Sequence, residues 1–554
     1  MRSTTGIIAA ISLSLCAVVE VSAEPTRPNI VLMMADDMGW SDLGCYGGEI
    51  ETPHLDSLAR RGVRFTQFYN TARCCPTRAA LLTGLYSHQT GIGHMTGDDG
   101  LDGYRGFLND RCVTLAEVLR ETGYATLMVG KWHVGSRPGQ WPLDRGFHHY
   151  WGTPSGGGVY FREALELRKE VFFVSDEQRV EFPEGRYVTD VFTDQAINMI
   201  SSTVKAGQQP FFLYFAHIAP HWPLQAKPED IKKYAERYEV GWDEIRRRRF
   251  ERQTAMGLLP PGTRLSPRDK QAESWDSLPA ERRRELAHRM AVYAAQIDCI
   301  DQNVGRLVSA LKELGQFDNT VFFFLSDNGC SAEGGPGGFN RDKSGAPIGT
   351  GRSYASVGLE WANAANTPLR RFKISTHEGG IATPLIVHWP AGLAAEKQTQ
   401  QAARPDGSAG RLIRTPGHVV DIMPTLVELA RATYPDRRGQ IAVLPCEGRS
   451  LVSVLSGQKS SGENDSPRSL FWEHEGNKAV RRGDWKAVAP ADGDWELYRL
   501  DQDRTELLNL AADNPKELDD LIAQWRQWAD RCGVVEWKKL QQIRRQARNG
   551  NATR

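Results

Sequence analysis

The sequence predicts an α/β fold: a large mixed, mostly parallel sheet flanked by helices, followed by a small C-terminal α+β unit with a short antiparallel sheet. Three observations predict it. Five short runs are apolar on both faces, as strands covered on both sides of a sheet are. Helical patterns lie between these runs, and that alternation builds a parallel sheet. A Ser/Gly/Asp/Pro-rich break at 457–468 then precedes short strand-like segments joined by tight turns.

The strands are expected at 29–34, 124–129, 210–215, 320–325 and 384–388, and the helices at 53–61, 114–121, 189–205 and 289–314. Between them, 228–289 is dense in Arg, Lys and Glu and reads as a helical insertion lying on the surface. Its run Arg246 to Arg249 fits a solvated helix face, with an anion patch as the alternative. The Gly-rich stretch 331–351 must be a long loop, and long loops in compact domains are commonly functional. After the break, strands are expected at 469–473, 478–482, 485–488 and 495–498, then a helix at 515–532 and a frayed basic tail after Trp537. The expected organisation is thus 24–456 for the large domain and 457–554 for the small one.

Composition narrows the function. The 554 residues carry 68 Lys+Arg and 68 Asp+Glu, and that balance argues against a nucleic-acid-coating protein. Residues 1–23 have the Arg2 n-region, an apolar stretch and Val21, Ser22 and Ala23 of a secretory signal peptide, so export to a periplasm or the exterior is expected. No other stretch approaches the roughly 20 apolar residues of a membrane helix, so stable membrane insertion is not expected. Of nine Cys, eight would remain after cleavage. They are too sparse for a disulfide scaffold and lack zinc-ribbon spacing.

Ligands of open α/β sheets bind at the carboxyl ends of the strands. Asp36 and Asp37 follow the first strand there; Lys131, Trp132 and His133 follow the second. His217 and His221 follow the third, and Asp327, Asn328 and Gly329 the fourth. Three carboxylates and an amide are hard oxygen ligands, suited to Ca²⁺ or Mg²⁺. Taken singly, Asp36-Asp37 reads equally as a helix cap and Asp327-Asn328-Gly329 as a turn; at one sheet edge the metal reading is the stronger. Cys74 to Arg78 would open a helix, with Pro76 in its first turn. A thiol there is made more acidic, so Cys74 is either a nucleophile, with Arg78 one turn along, or a buried Cys beside an ordinary cap.

Cys74-Cys75-Pro76-Thr77-Arg78 resembles the C-x-P-x-R signature of type I sulfatases, and Leu82-Thr83-Gly84 continues it. The segments at 29–37, 130–133, 220–223, 326–329 and 373–380 are similar to that family in the same order, most of all to bacterial arylsulfatases of the alkaline phosphatase superfamily. Cys75 stands where Ser is common.

The resemblance implies a sulfuric ester hydrolase acting on aryl or carbohydrate sulfates. It implies that a maturation enzyme converts Cys74 to formylglycine, whose hydrated diol attacks sulfur and later eliminates sulfate. Asp36, Asp37, Cys74, Asp327 and Asn328 would hold Ca²⁺. Arg78 and Lys131 would stabilise the ionised diol, and His133 would take the second hydroxyl's proton. His221 and Lys373 would bind sulfate, with His221 protonating the leaving oxygen. Arg370 and Arg371 compete with Lys373 for that assignment. Tyr150, Trp151, Tyr160, Phe161 and Trp242 are candidates to stack on a substrate ring, with surface packing as an equal alternative. Two other readings stay open: a phosphodiester or phosphonate monoester hydrolase, and a non-catalytic anion- or glycan-binding protein.

Overall fold

The structure, a computed structural model, describes residues 27–207, 210–393, 410–457 and 467–552. The expected signal peptide lies outside the described residues. The strands are β1 Asn29–Ala35, β2 Val63–Tyr69, β3 Ala125–Lys131, β4 His149–Thr153, β5 Phe173–Ser175, β6 Gln178–Val180, β7 Phe211–Ala216, β8 Thr320–Ser326, β9 Ala382–His388, β10 Arg411–Ile413, β11 Gly417–His418, β12 Arg437–Arg438, β13 Ile441–Ala442, β14 Ser469–His474, β15 Asn477–Arg482, β16 Trp485–Ala489 and β17 Glu496–Arg499. The α-helices are α1 Pro53–Arg60, α2 Cys74–Thr83, α3 Leu115–Glu121, α4 Val188–Lys205, α5 Pro228–Tyr234, α6 Gly241–Ala255, α7 Ala280–Glu313, α8 Leu359–Ala365, α9 Glu378–Ile381, α10 Ile422–Leu429, α11 Val452–Ser456, α12 Pro515–Cys532 and α13 Trp537–Ala552.

Among the described residues, one large sheet runs β10-β2-β9-β8-β1-β7-β3-β4-β5-β6, with β11 also beside β2. Pairing is parallel from β8 through β1, β7 and β3 to β4, and antiparallel where β9 lies between β2 and β8. Alternation along β1 shows why these strands are apolar throughout. Val31, Met33 and Ala35 enter one core, and Ile30, Leu32 and Met34 enter the other. Helices α4 and α7 cover the first face; α2, α3 and α10 cover the second. Strands β14 to β17 form the expected antiparallel sheet, with α12 packed on it. Leu470, Trp472 and Val488 of that sheet join the first core.

Three expectations need correction. The 228–289 segment does not simply lie on the surface. Trp242, Trp275 and Trp361 pack edge to face beneath it, and α7 begins nine residues before the expected start, at Ala280. The Arg246–Arg249 run is split by helix geometry. Arg247 and Arg248 pair with Glu244 in solvent, whereas Arg249 is buried against Asp42 and Glu49 at 2.7 Å each. The tail after Trp537 is the helix α13, anchored by buried Leu540 and by Arg544, which forks onto Asp99. The eight described Cys are all free.

Candidate active site

Strands β3, β7, β1 and β8 run parallel side by side, and their register sets Ala35 beside Ser326 and both Met34 and Gly130 beside Ala216. The residues that follow therefore emerge at one level. Asp37 and His133 both adopt the left-handed backbone, at φ +66° and +57°. That conformation is uncommon away from glycine, and at Asp37 it lets two successive carboxylates reach one pocket.

The contacts form two linked sets. Lys131 Nζ donates to Asp36 Oδ2, and Arg78 donates from Nε and Nη2 to Asp327 Oδ2 at 3.1 and 2.7 Å. Arg78 Nη2 also lies 3.6 Å from Asp36 Oδ2. Lys373 Nζ reaches both Asp37 oxygens, at 2.8 and 2.9 Å, and Asn328 Nδ2 donates to Asp37 Oδ1 at 2.7 Å. His221 Nε2 is 3.6 Å from Asp37 Oδ2. All these side chains are buried.

Charge separates the two carboxylates that share Arg78. Burial would raise Asp36, but Lys131, His221 and Arg78 outweigh it and hold its carboxyl well below the usual range. Asp327 goes the other way, pushed up by burial and by Asp36. A divalent cation beside them would favour the charged form of both carboxylates. The donor set fits one, because Asp36 Oδ1 and Asn328 Oδ1 are buried oxygens with no hydrogen-bond partner. Such atoms are costly unless something binds them, and oxygen donors of this kind suit a hard cation.

Cys74 is the first residue of α2, a helix buried along its whole length. Unpaired N–H groups at a helix start favour negative charge. A hydrogen bond from Cys75, then Lys131 and His133, bring the Cys74 thiol well below its usual range despite burial. Cys75 moves the opposite way through burial and Cys74. Burial lowers His133 to about 4, so its imidazole is neutral at pH 7. Gly156 lets a loop close over that ring: a Cβ there would stand 1.9 Å from His133 Nε2.

The structure thus brings together all ten residues expected at the site. Arg370 and Arg371 are excluded from it, since Arg370 donates to Tyr498 Oη and Arg371 faces Asp269. The proposed stacking residues need correction. Tyr150, Trp151, Tyr160 and Trp242 are spent in the core, and Phe161 packs on its margin. A cavity of about 410 Å³ opens instead past Cys74, His133, His221 and Lys373 towards Met95, Phe172 and Trp222. Sequence reasoning missed Glu333, which lies 3.5 Å from Arg73 and 3.6 Å from Lys373 and accepts from the Trp222 indole. The only signal for it was its place in the Gly-rich loop after Asp327.

A family model described as Sulfatase matches residues 28–432. The chain is 35% identical over 548 residues to an uncharacterized sulfatase of Schizosaccharomyces pombe, covering 93% of this chain and 95% of that one. It is 35% identical over 448 residues to an arylsulfatase of Klebsiella aerogenes, covering 78% and 93%. The crystal structure of Ps i-CgsB in complex with k-i-k-neocarrahexaose superposes with a TM-score of 0.65 at 26% identity, covering 91% and 93%. Fold and site therefore define an enzyme of the alkaline phosphatase superfamily. Within it, the chain belongs to the sulfatase family and is a sulfuric ester hydrolase.

Proposed function

We propose that the protein is exported and hydrolyses sulfate esters of aryl or carbohydrate alcohols, using Ca²⁺ and a formylglycine made from Cys74 by a maturation enzyme. One observation carries this reading: two partnerless buried oxygens, on Asp36 and Asn328, sit among Asp37 and Asp327 beside a helix that starts at Cys74. Asp36, Asp37, Asp327 and Asn328 would hold the cation, which would supply Lewis acidity to a sulfate oxygen and to the nucleophile. Formylglycine would supply a geminal diol as that nucleophile.

The remaining work falls to this chain's own side chains. Three carboxylates, Asp36, Asp37 and Asp327, are already balanced by Arg78, Lys131 and Lys373. With a divalent cation held there the pocket would be net positive, which would favour an anionic ester. Arg78 and Lys131 hold charge fixed beside Cys74, and Lys373 stands where it can meet a sulfate oxygen. His133 accepts a proton on the Cys74 side of the cavity. His221, which lines the same cavity next to Trp222, serves the departing oxygen.

The test is turnover of 4-nitrophenyl sulfate against bis(4-nitrophenyl) phosphate and 4-nitrophenyl phenylphosphonate. The sulfate is expected to have the highest kcat/KM. A preference for either phosphorus ester would overturn the assignment, and no turnover of any of them would leave the anion-binding reading.

A further inference from the structure

Arg168 lines the cavity beside Trp222 and Phe172, yet it is only 8% exposed. Its guanidinium lies over the Trp222 ring, 4.8 Å from the centroid. One N–H is used: Nε donates to Glu170 Oε1 at 2.8 Å, and the Glu170 side chain is 62% exposed. Nη1 is buried with no partner. Gly157 makes the room, because a Cβ there would stand 2.3 Å from Arg168 Nη2.

That arrangement is poor as a structural device. A carboxylate standing mostly in water offsets little of the cost of burying a guanidinium. An unpaired buried N–H adds to the cost. The fork of an arginine is matched by a carboxylate or a sulfate, which accepts two N–H groups at once.

Position says which part of a substrate would meet it. The Trp222 ring centroid is 4.8 Å from the His221 ring and 4.8 Å from the Arg168 guanidinium, so one aromatic side chain touches both. Arg168 and the group that serves the departing oxygen therefore line one cavity across a shared tryptophan, which puts Arg168 within a ring's reach of the alcohol portion of an ester. Gly156 and Gly157 are consecutive, one packed on His133 and the next on Arg168, so both ends of this wall belong to one cavity.

We propose that Arg168 binds a second anionic group, a carboxylate or a further sulfate, carried on the alcohol portion of the sulfate ester about one ring from the ester oxygen. The inference rests on the sulfatase reading and deepens it. The enzyme would select sulfate esters of anionic alcohols over neutral ones.

The test compares 4-carboxyphenyl sulfate with its uncharged isostere 4-carbamoylphenyl sulfate, and hydroquinone bis-sulfate with hydroquinone monosulfate. The charged member of at least one pair is expected to have a KM about tenfold lower, the scale of one charge-assisted hydrogen bond. The pair that shows it identifies carboxylate or sulfate as the group read. Arg168→Gln is expected to erase that difference while the neutral esters keep their kinetics, and Arg168→Lys to restore part of it. Equal KM values within both pairs, or equal losses on charged and neutral esters in Arg168→Gln, would overturn the proposal. Calorimetric binding of the same compounds to the Cys74→Ala variant reads the subsite without turnover. Absence of all turnover with a retained charged preference would therefore sink the sulfatase reading and keep the subsite.

Discussion

Asp327 shows how closely charge is matched in this pocket. It alone accepts both Nε and Nη2 of Arg78, and its Oδ1 also receives the Asp37 backbone N–H. Asp327→Asn keeps the shape and removes the charge. It is expected to lower bound Ca²⁺ and turnover together, the latter by about 10²-fold, the scale seen when metal-site groups are altered. Elemental analysis beside steady-state kinetics checks this, and full activity with zinc or with no metal would contradict it. The two histidines separate by leaving group. His221→Ala is expected to steepen the dependence of kcat/KM on leaving-group pKa, hurting alkyl esters most. His133→Ala is expected to slow all substrates towards one common kcat, because elimination no longer depends on which alcohol departed. The reverse pattern would exchange their roles. Cys75→Ser is expected to keep most activity and Cys74→Ala to lose it.

At the scale of elements, the strands that carry the site were legible because they are covered on both faces, which leaves no polar alternation to confuse them. The acidic residues beyond β1 and β8 were legible for the same reason, as abrupt polar groups after apolar runs. Strand β2 was not read, because Arg64, Thr66 and Gln67 interrupt its pattern while distant backbone carbonyls take part of their polar groups: Arg64 donates to the Cys45 carbonyl and Thr66 to the Ile413 carbonyl. The Arg168 wall and Glu333 sit on loops, where neither period nor spacing carries information. Gly130 shows what the strand level demands. Its φ is +112° inside β3, and a Cβ would stand 1.8 Å from the Ala216 carbonyl oxygen of β7. Gly130→Ala is expected to destabilise the fold by about 2 kcal/mol or more, from backbone strain and overpacking. Urea unfolding measures this, and a change under 0.5 kcal/mol would show that the two strands can part at little cost.

Across the whole molecule, the small sheet is tied to the large one by buried ions rather than by apolar contact alone. Lys486 on β16 donates to Glu378 of α9 at 2.9 Å and to Glu506 at 2.8 Å, and Arg504 also donates to Glu378. Composition hinted at two units, but a network whose links to Glu378 span more than a hundred positions leaves no local trace. The frayed-tail expectation failed likewise, since Arg544 finds Asp99 across 445 positions. Lys486→Met would remove the buried cation that Glu378 and Glu506 share, leaving Glu378 with Arg504, and is expected to cost about 3 kcal/mol. The network also sets an acid limit. Burial would raise Glu378, but Lys486, Arg504 and Arg481 bring it down to about 2, from an ordinary 4.5. Its folded value is depressed, so its stabilisation is full above the unfolded value and is lost as pH falls from about 4.5 towards 2. Thermal unfolding between pH 6 and 3 should show Tm falling below about pH 4.5, with a shallower slope in a Glu378→Gln variant. Equal slopes would remove Glu378 from the account.

On the proposed mechanism, Cys74 acts only after it has ceased to be a cysteine. Mass analysis of the tryptic peptide containing Cys74, on protein made with and without a formylglycine-generating enzyme, tests it when paired with sulfate ester turnover on the same samples. Turnover is expected to scale with the fraction of Cys74 that has lost its sulfur and to vanish where the thiol is intact. Full turnover by a preparation whose Cys74 is wholly unmodified would contradict the account.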